Sequence, residues 1–275
     1  MPMLDKYFAN PAALPSMPEV AHRLLKSFDD EGLGMQALAD LIAQDQGLSV
    51  KVLRLANSAR YSPAHAIATL KEAAMNIGMV SLRDLALAAC VAGAFPQVTG
   101  FDRLRFWRQC LATAGHARML ASACDLEPDS AYLAGLVMRT GELLMLMQDP
   151  EMVALAESRA HAPDSLLDHE RLLMQCTHVQ VTAELALRWH FPQTLVDGLS
   201  AADDPLNRRP FCKLGGVLRL ASVMAEAGDL GLPPLTTLLE AQGELVQRLG
   251  LDLEWLAGHL SPYETLTDGV DQLLH

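Results

Sequence analysis

Residues 131–145, Ala-Tyr-Leu-Ala-Gly-Leu-Val-Met-Arg-Thr-Gly-Glu-Leu-Leu-Met, constrain this chain more than any other stretch. The turn-forming Glu127-Pro128-Asp129 precedes them. A helix with one wet side carries a polar stripe at helical spacing. This stretch lacks one and predicts a helix buried on most of its surface. Arg139 interrupts the apolar run, and a guanidinium there needs a partner or a route to water.

Composition agrees with packed helices. Hydrophobic residues make up 51% of the chain and aromatics 5%, with Leu, Ala and Met as the main filling. Sheets would draw on β-branched and aromatic residues, and no segment alternates strictly between apolar and polar, so essentially no sheet is expected. The net charge of −12, from 33 acids against 21 bases, argues against general affinity for nucleic acid or anionic membranes. No apolar run has the length of a bilayer span, and the N-terminus lacks the order of a signal peptide. A soluble, cytoplasmic protein is expected. Cys90, Cys110, Cys124, Cys176 and Cys212 are dispersed without C-x-x-C spacing, which predicts buried thiols rather than disulfides or zinc. Cys176 and His178 are two residues apart and share a helix face poorly, which disfavours a nucleophilic pair.

Helix signals recur along the whole chain. Ser16-Met-Pro-Glu19 has the form of a capping box and predicts a helix to about Asp29, with Val20, Leu24, Leu25 and Phe28 inward. After Gly32 and Gly34, helices are expected near residues 35–44 and, beyond the turn Asp45-Gln46-Gly47, from Leu48 to about Ser58. Lys51, Arg54 and Arg60 could form a DNA-reading face on these paired helices, but few basic residues flank them and the chain is acidic. Thr69-Leu-Lys-Glu72 is a second capping box, ending at Gly78, and Ser81-Leu-Arg-Asp84 looks like a third start. Phe95-Pro96 and Thr99-Gly100 mark a boundary, giving an N-terminal helical part, 1–98, and a second helical part, 99–275, with a C-terminal extension. In that second part, helices are expected from Ala112 to Leu120 and after Asp149-Pro150. Further ones are expected near 165–175, 177–189, 211–227 and 235–249.

Several of these segments resemble a known family. Leu41-Ile-Ala-Gln-Asp45, Leu53-Arg-Leu-Ala-Asn-Ser-Ala59, Ala73 to Gly78 and Leu82-Arg-Asp-Leu85 resemble the HDOD family, bacterial HD-related output domains that usually lack the full metal-ligand set. Ala131-Tyr-Leu-Ala-Gly-Leu136 resembles the helix on which HD-superfamily phosphohydrolases carry a His-Asp ligand pair. Trp189-His-Phe-Pro192 resembles the family's Trp-x-x-Pro, and the resemblance spans about residues 11–225. It implies an all-α fold of the multi-helical HD-domain/phosphodiesterase-like kind, with the N-terminal helical half packed on it.

The resemblance also places the metal site residue by residue. The ligand after Phe106-Trp107 falls at Gln109, and the His-Asp pair at Met138 and Arg139. One histidine is kept, His178, while the His-His pair falls near Ala202 and Asp203 and the late aspartate near Ser222. Gln109 is a poor ligand, Met138 a soft one, and Arg139 is itself a cation. Catalysis, metal and other cofactors are therefore not expected, and Arg139 is expected to pair with a carboxylate such as Asp203. Asn57 and Ser58 read as a helix-end pair. Arg139, His178 and Asn57 are the residues available for binding. The resemblance implies a bacterial regulatory module in signal transduction with protein partners, and on the acidic balance neither nucleic acid nor membrane is expected as partner. The alternatives are a nucleotide or cyclic-dinucleotide binder with Arg139 near phosphate, or a residual metal-dependent phosphohydrolase.

Overall fold

The structure, a computed structural model, describes residues 3–10, 14–26, 34–58, 61 and 65–274. Phe28, Asp29, Gly32, Ala59 and Arg60 lie outside the described residues. Among those described, the chain is helical throughout with no strand, an all-α fold. No helix there is long and apolar enough to cross a membrane. The chain divides into two compact units, one of residues 1–14, 98–101 and 108–266, the other of 15–97, 102–107 and 267–275.

The smaller unit contains α1 (Glu19–Lys26), α2 (Met35–Ala43), α3 (Gln46–Ala56), α4 (Leu70–Ile77) and α5 (Met79–Ala94). It also takes the first turn of α6 (Arg103–Ala123) and, after a long excursion of the chain, α17 (Val270–Leu274). α5 is its centre and touches α1, α2, α3, α4 and α17. Its residues from Leu85 to Ala92 are all buried, as an apolar helix without a polar stripe requires. The Thr69–Glu72 capping box forms as its spacing predicts. The one at Ser16 does not: α1 starts at Glu19, because Pro18 pushes Met17 out of helical backbone. α3 starts two residues earlier than expected, at Gln46, because the Asp45 carboxylate accepts from Leu48 N–H at 2.9 Å and caps it. α5 likewise starts at Met79 rather than Ser81.

The larger unit opens with a 3₁₀ segment, Met3–Phe8, and resumes with the remainder of α6. It continues through α7 (Pro128–Val137), α8 (Thr140–Gln148), α9 (Pro150–Arg159), α10 (Leu166–Met174) and α11 (His178–Arg188). It closes with α12 (Gln193–Ala202), α13 (Lys213–Asp229), α14 (Pro234–Leu249), α15 (Leu253–His259) and α16 (Tyr263–Thr267). The central stretch is buried as predicted, every residue from Ala131 to Leu146, but it is two helices rather than one. The break falls at Met138-Arg139, between α7 and α8. α12 has no counterpart in the helices expected from sequence.

Backbone contacts at glycines set how these helices cross. A Cβ on Gly141 would collide with the His178 carbonyl oxygen and stand 2.6 Å from Thr182 N, so α8 can meet α11 this closely only with glycine there. Gly215 does the same for α13 against α12, where a Cβ would stand 2.5 Å from Ala201 Cβ and 3.1 Å from Ala202 N. Ala202, aligned with a family histidine, thus sits in a helix crossing.

Candidate functional site

The break between α7 and α8 builds the site. Turning the chain at Met138-Arg139 leaves Arg139 at the N-cap of α8, with only 4% of its surface exposed. Glu142, one turn on and 1% exposed, receives Arg139 Nε at 3.1 Å and Nη2 at 2.6 Å through a single oxygen. Arg139 Nη1 lies 3.5 Å from Glu226 Oε1 on α13. Burial works against the guanidinium charge, but Glu142 and Glu226 outweigh it and hold the proton firmly. Burial likewise works against ionised Glu142, yet Arg139 and, less strongly, His178 keep its carboxyl below the usual carboxylate range.

Asp203 is not the partner of Arg139, contrary to the sequence expectation. Its carboxylate is held by Arg171 Nη2 at 2.8 Å, by the Thr177 hydroxyl at 2.7 Å and by Gln180 Nε2 at 2.8 Å. Thr177 and Gln180 are the capping box of α11, so Asp203 ties the end of α12 to the start of that helix. The nearer acids at positions 142 and 226 satisfy the arginine instead.

His178 opens α11 and is 2% exposed. Its Nδ1 lies 2.9 Å from both oxygens of Glu170, and its backbone N–H donates to Glu170 Oε2 at 2.8 Å. A carboxylate only accepts, so Nδ1–H is the donor in this pair. Nε2 is buried and has no hydrogen-bond partner among the described residues. His178 is fixed against α8 through Thr182, whose hydroxyl accepts from Gly141 N–H and lies 2.8 Å from the carbonyl oxygens of Met138 and His178.

A cavity of about 10 Å³, roughly one water's worth of room, is lined by Met138, Asp164, His178, Arg219, Ser222 and Glu226. Ser222 Oγ donates to Glu226 Oε1 at 3.1 Å, and Asp164 N–H donates to Glu226 Oε2 at 2.7 Å. Asp164 sits in left-handed backbone at φ 71° and pairs with Arg219 Nε at 2.7 Å. Gln242, at a kink inside α14, donates to its other oxygen. Burial raises the Asp164 carboxyl despite Arg219 and Gln242. Arg219 also lines an outer groove of about 260 Å³ with Arg171, Asp203, Asp204, Leu206 and Gln242.

Met138, Arg139, His178 and Ser222 therefore converge, while Gln109, Ala202 and Asp203 make other contacts within the larger unit. Gln109 donates to Asp229 Oδ2 at 3.0 Å, and Tyr263 donates to the other oxygen of Asp229 at 3.2 Å. Asn57 belongs to the smaller unit, where it bonds the carbonyls of Leu53 and Ile67 and the N–H of Ile67, each at 2.8 Å. Sequence reasoning missed Glu142, Asp164, Glu170, Arg219 and Glu226. Glu142 was within reach, since a charge three residues from Arg139 in an apolar helix is a ready ion pair.

The donors at this centre do not suit a divalent cation. Glu142 and Glu226 are committed to a guanidinium, Glu170 to an imidazole, and Asp164 to Arg219. Among the described residues no group of three His, Cys, Asp or Glu side chains is disposed to share an ion.

Comparison with known proteins fits this architecture. A protein of Shewanella amazonensis SB2B named as a candidate phosphohydrolase is 28% identical with a TM-score of 0.78, over 99% of this chain and 98% of that one. A candidate signal transduction protein of Marinobacter aquaeolei VT8 is 25% identical with a TM-score of 0.74, over 95% of this chain and 58% of that one. An HDOD domain protein of Geobacter sulfurreducens, 20% identical with a TM-score of 0.71 over 98% of this chain and 97% of that one, shares the fold. An uncharacterized protein of Treponema pallidum is 29% identical over 190 residues, 67% of this chain, which spans about a third (36%) of that relative's length. The HDOD domain model matches residues 14–205, and the chain belongs to the HDOD family.

Proposed function

We propose that this chain is a non-catalytic HDOD module of bacterial signal transduction that acts by binding other proteins in the cytoplasm. The observation that carries the reading is the pairing of buried Arg139 with Glu142 and Glu226 at the position where the HD resemblance puts metal ligands. A metal entering there would have to displace an internal cation from two carboxylates and leave that cation buried without a partner. A nucleotide phosphate seeking Arg139 would meet the same carboxylates first. The signalling side is supported by family membership and by the Marinobacter relative named for signal transduction. The cytoplasmic side is supported by five free thiols, four of them buried.

Metal content of protein purified without chelator, together with a phosphodiesterase assay in added manganese, tests the reading. It expects no stoichiometric metal and no turnover. Bound manganese or iron, with activity abolished by His178→Ala, would make the chain an enzyme and overturn it.

A further inference from the structure

The N-terminal 3₁₀ segment precedes the matched HDOD region, yet it is seated on the larger unit like a short ligand in a groove. It packs on α8 and α11. Tyr7 is fully buried; its hydroxyl donates to Asp149 Oδ2 at 2.8 Å and lies 3.8 Å from the Met174 sulfur. Lys6 Nζ reaches the same Asp149 oxygen at 2.5 Å, and Gln148 Nε2 donates to the Tyr7 carbonyl at 2.9 Å. The Arg188 guanidinium covers the Phe8 ring at 4.5 Å. The seat thus has a slot for a phenol with an acid at its floor, that same acid for a cation, and an arginine lid for a second ring.

Six residues of 3₁₀ helix have no stability of their own, so the segment takes its conformation from this seat. Its attachment to the rest of the chain raises its effective concentration at the groove without adding any contact. From these contacts we propose that the seat is a recognition groove for a partner segment carrying a cation followed by two aromatic residues. The chain's own Lys6-Tyr7-Phe8 is its intramolecular competitor. The groove lies beside the remnant site, since Met174 ends α10, the helix that carries Glu170 to His178. A partner that replaces the arm would therefore be felt at that histidine.

The proposal rests on the reading of the chain as a protein-binding module, but its test is independent of metal and turnover. A fluorescent peptide of residues 3–10 is titrated against the full chain and against full-length Tyr7→Ala. Saturable binding to the variant, at least tenfold weaker to the unaltered chain and lost when the peptide's tyrosine is replaced by alanine, is the expected result. Binding of equal strength to both chains, or none to a variant that circular dichroism shows to be folded, overturns it. Should Tyr7→Ala fail to fold, the double variant Lys6→Ala/Phe8→Ala keeps the buried ring while weakening the arm. It should then bind the peptide more tightly than the unaltered chain, and no gain overturns the proposal. A phosphodiesterase result contrary to the proposed function would leave the peptide result standing, and failure of the peptide to bind would leave the question of catalysis where it was.

Discussion

Arg139 and Glu142, three residues apart at the start of α8, form an ion pair with Nη2 2.6 Å from Oε2 and side chains 5% and 1% exposed. Arg139→Ala would leave Glu142 in an apolar interior without its cation. Breaking a buried pair from one side costs about 3–5 kcal/mol, and that loss is expected in urea unfolding. The double variant Arg139→Met/Glu142→Leu should recover at least half of it, because Glu226, with 16% of its side chain exposed, can turn to water. A single variant as stable as the parent would show that the pair is not formed in solution.

Gly141→Ala tests the crossing of α8 and α11. The added methyl meets the backbone of His178 and Thr182, which cannot move without shifting a whole helix. Overpacking of a core costs about 1–3 kcal/mol, and the upper end is expected because the clash is with main chain. Thr182→Val, which strips the acceptor from Gly141 N–H, should cost about 1–3 kcal/mol through the unpaired amide alone. Both are read from the urea midpoint at unchanged slope. A neutral Gly141→Ala would mean the helices stand further apart.

Much of the fold was legible in the sequence, and the reasons differ element by element. The apolar run from Ala131 announced its burial because no face of it carried a polar stripe. Its division at Met138-Arg139 was not legible, since neither proline nor glycine stands at the break and both sides are equally apolar. Glu170 and Glu226 lie on helices that also carry exposed charges, and only a neighbouring helix decides which charge is enclosed. Nothing in the local sequence marks Arg171 as the partner of Asp203 either, since the two meet only through the packing of α10 on the end of α12. Short-range chemistry did better: the Thr69–Glu72 box needs nothing beyond its own turn, while the Ser16 box fails on the proline inside it.

His116 on α6 is 2% exposed, and burial pushes its imidazole down to about 4. The unfolded chain binds that proton near pH 6.5 and the folded chain does not until near pH 4, so stability falls as pH drops through that window. The full loss is about 3 kcal/mol, at 1.36 kcal/mol for each unit of difference. Unfolding free energies measured between pH 7 and 4.5 should fall steadily, and His116→Gln should remove most of the slope. A slope unchanged by the substitution would assign the acid sensitivity to other groups.

Asp164 should move the other way. Burial raises its folded value above the unfolded one, so the folded chain holds this proton more tightly and its contribution to stability declines as pH rises through the interval between them. Gln242, at the α14 kink, donates to the ionised form and limits the rise. Gln242→Leu is therefore expected to raise the Asp164 value further, seen in the pH dependence of its carboxyl carbon shift. It should also cost about 1.5–3 kcal/mol at neutral pH, as loss of a bond to a charged group does. Arg219 stays paired with Asp164 in that variant, so the outer groove keeps its cation and the change reports on the Gln242 contact alone. An Asp164 titration identical in parent and variant would mean that the kink in α14 is held by something other than this hydrogen bond.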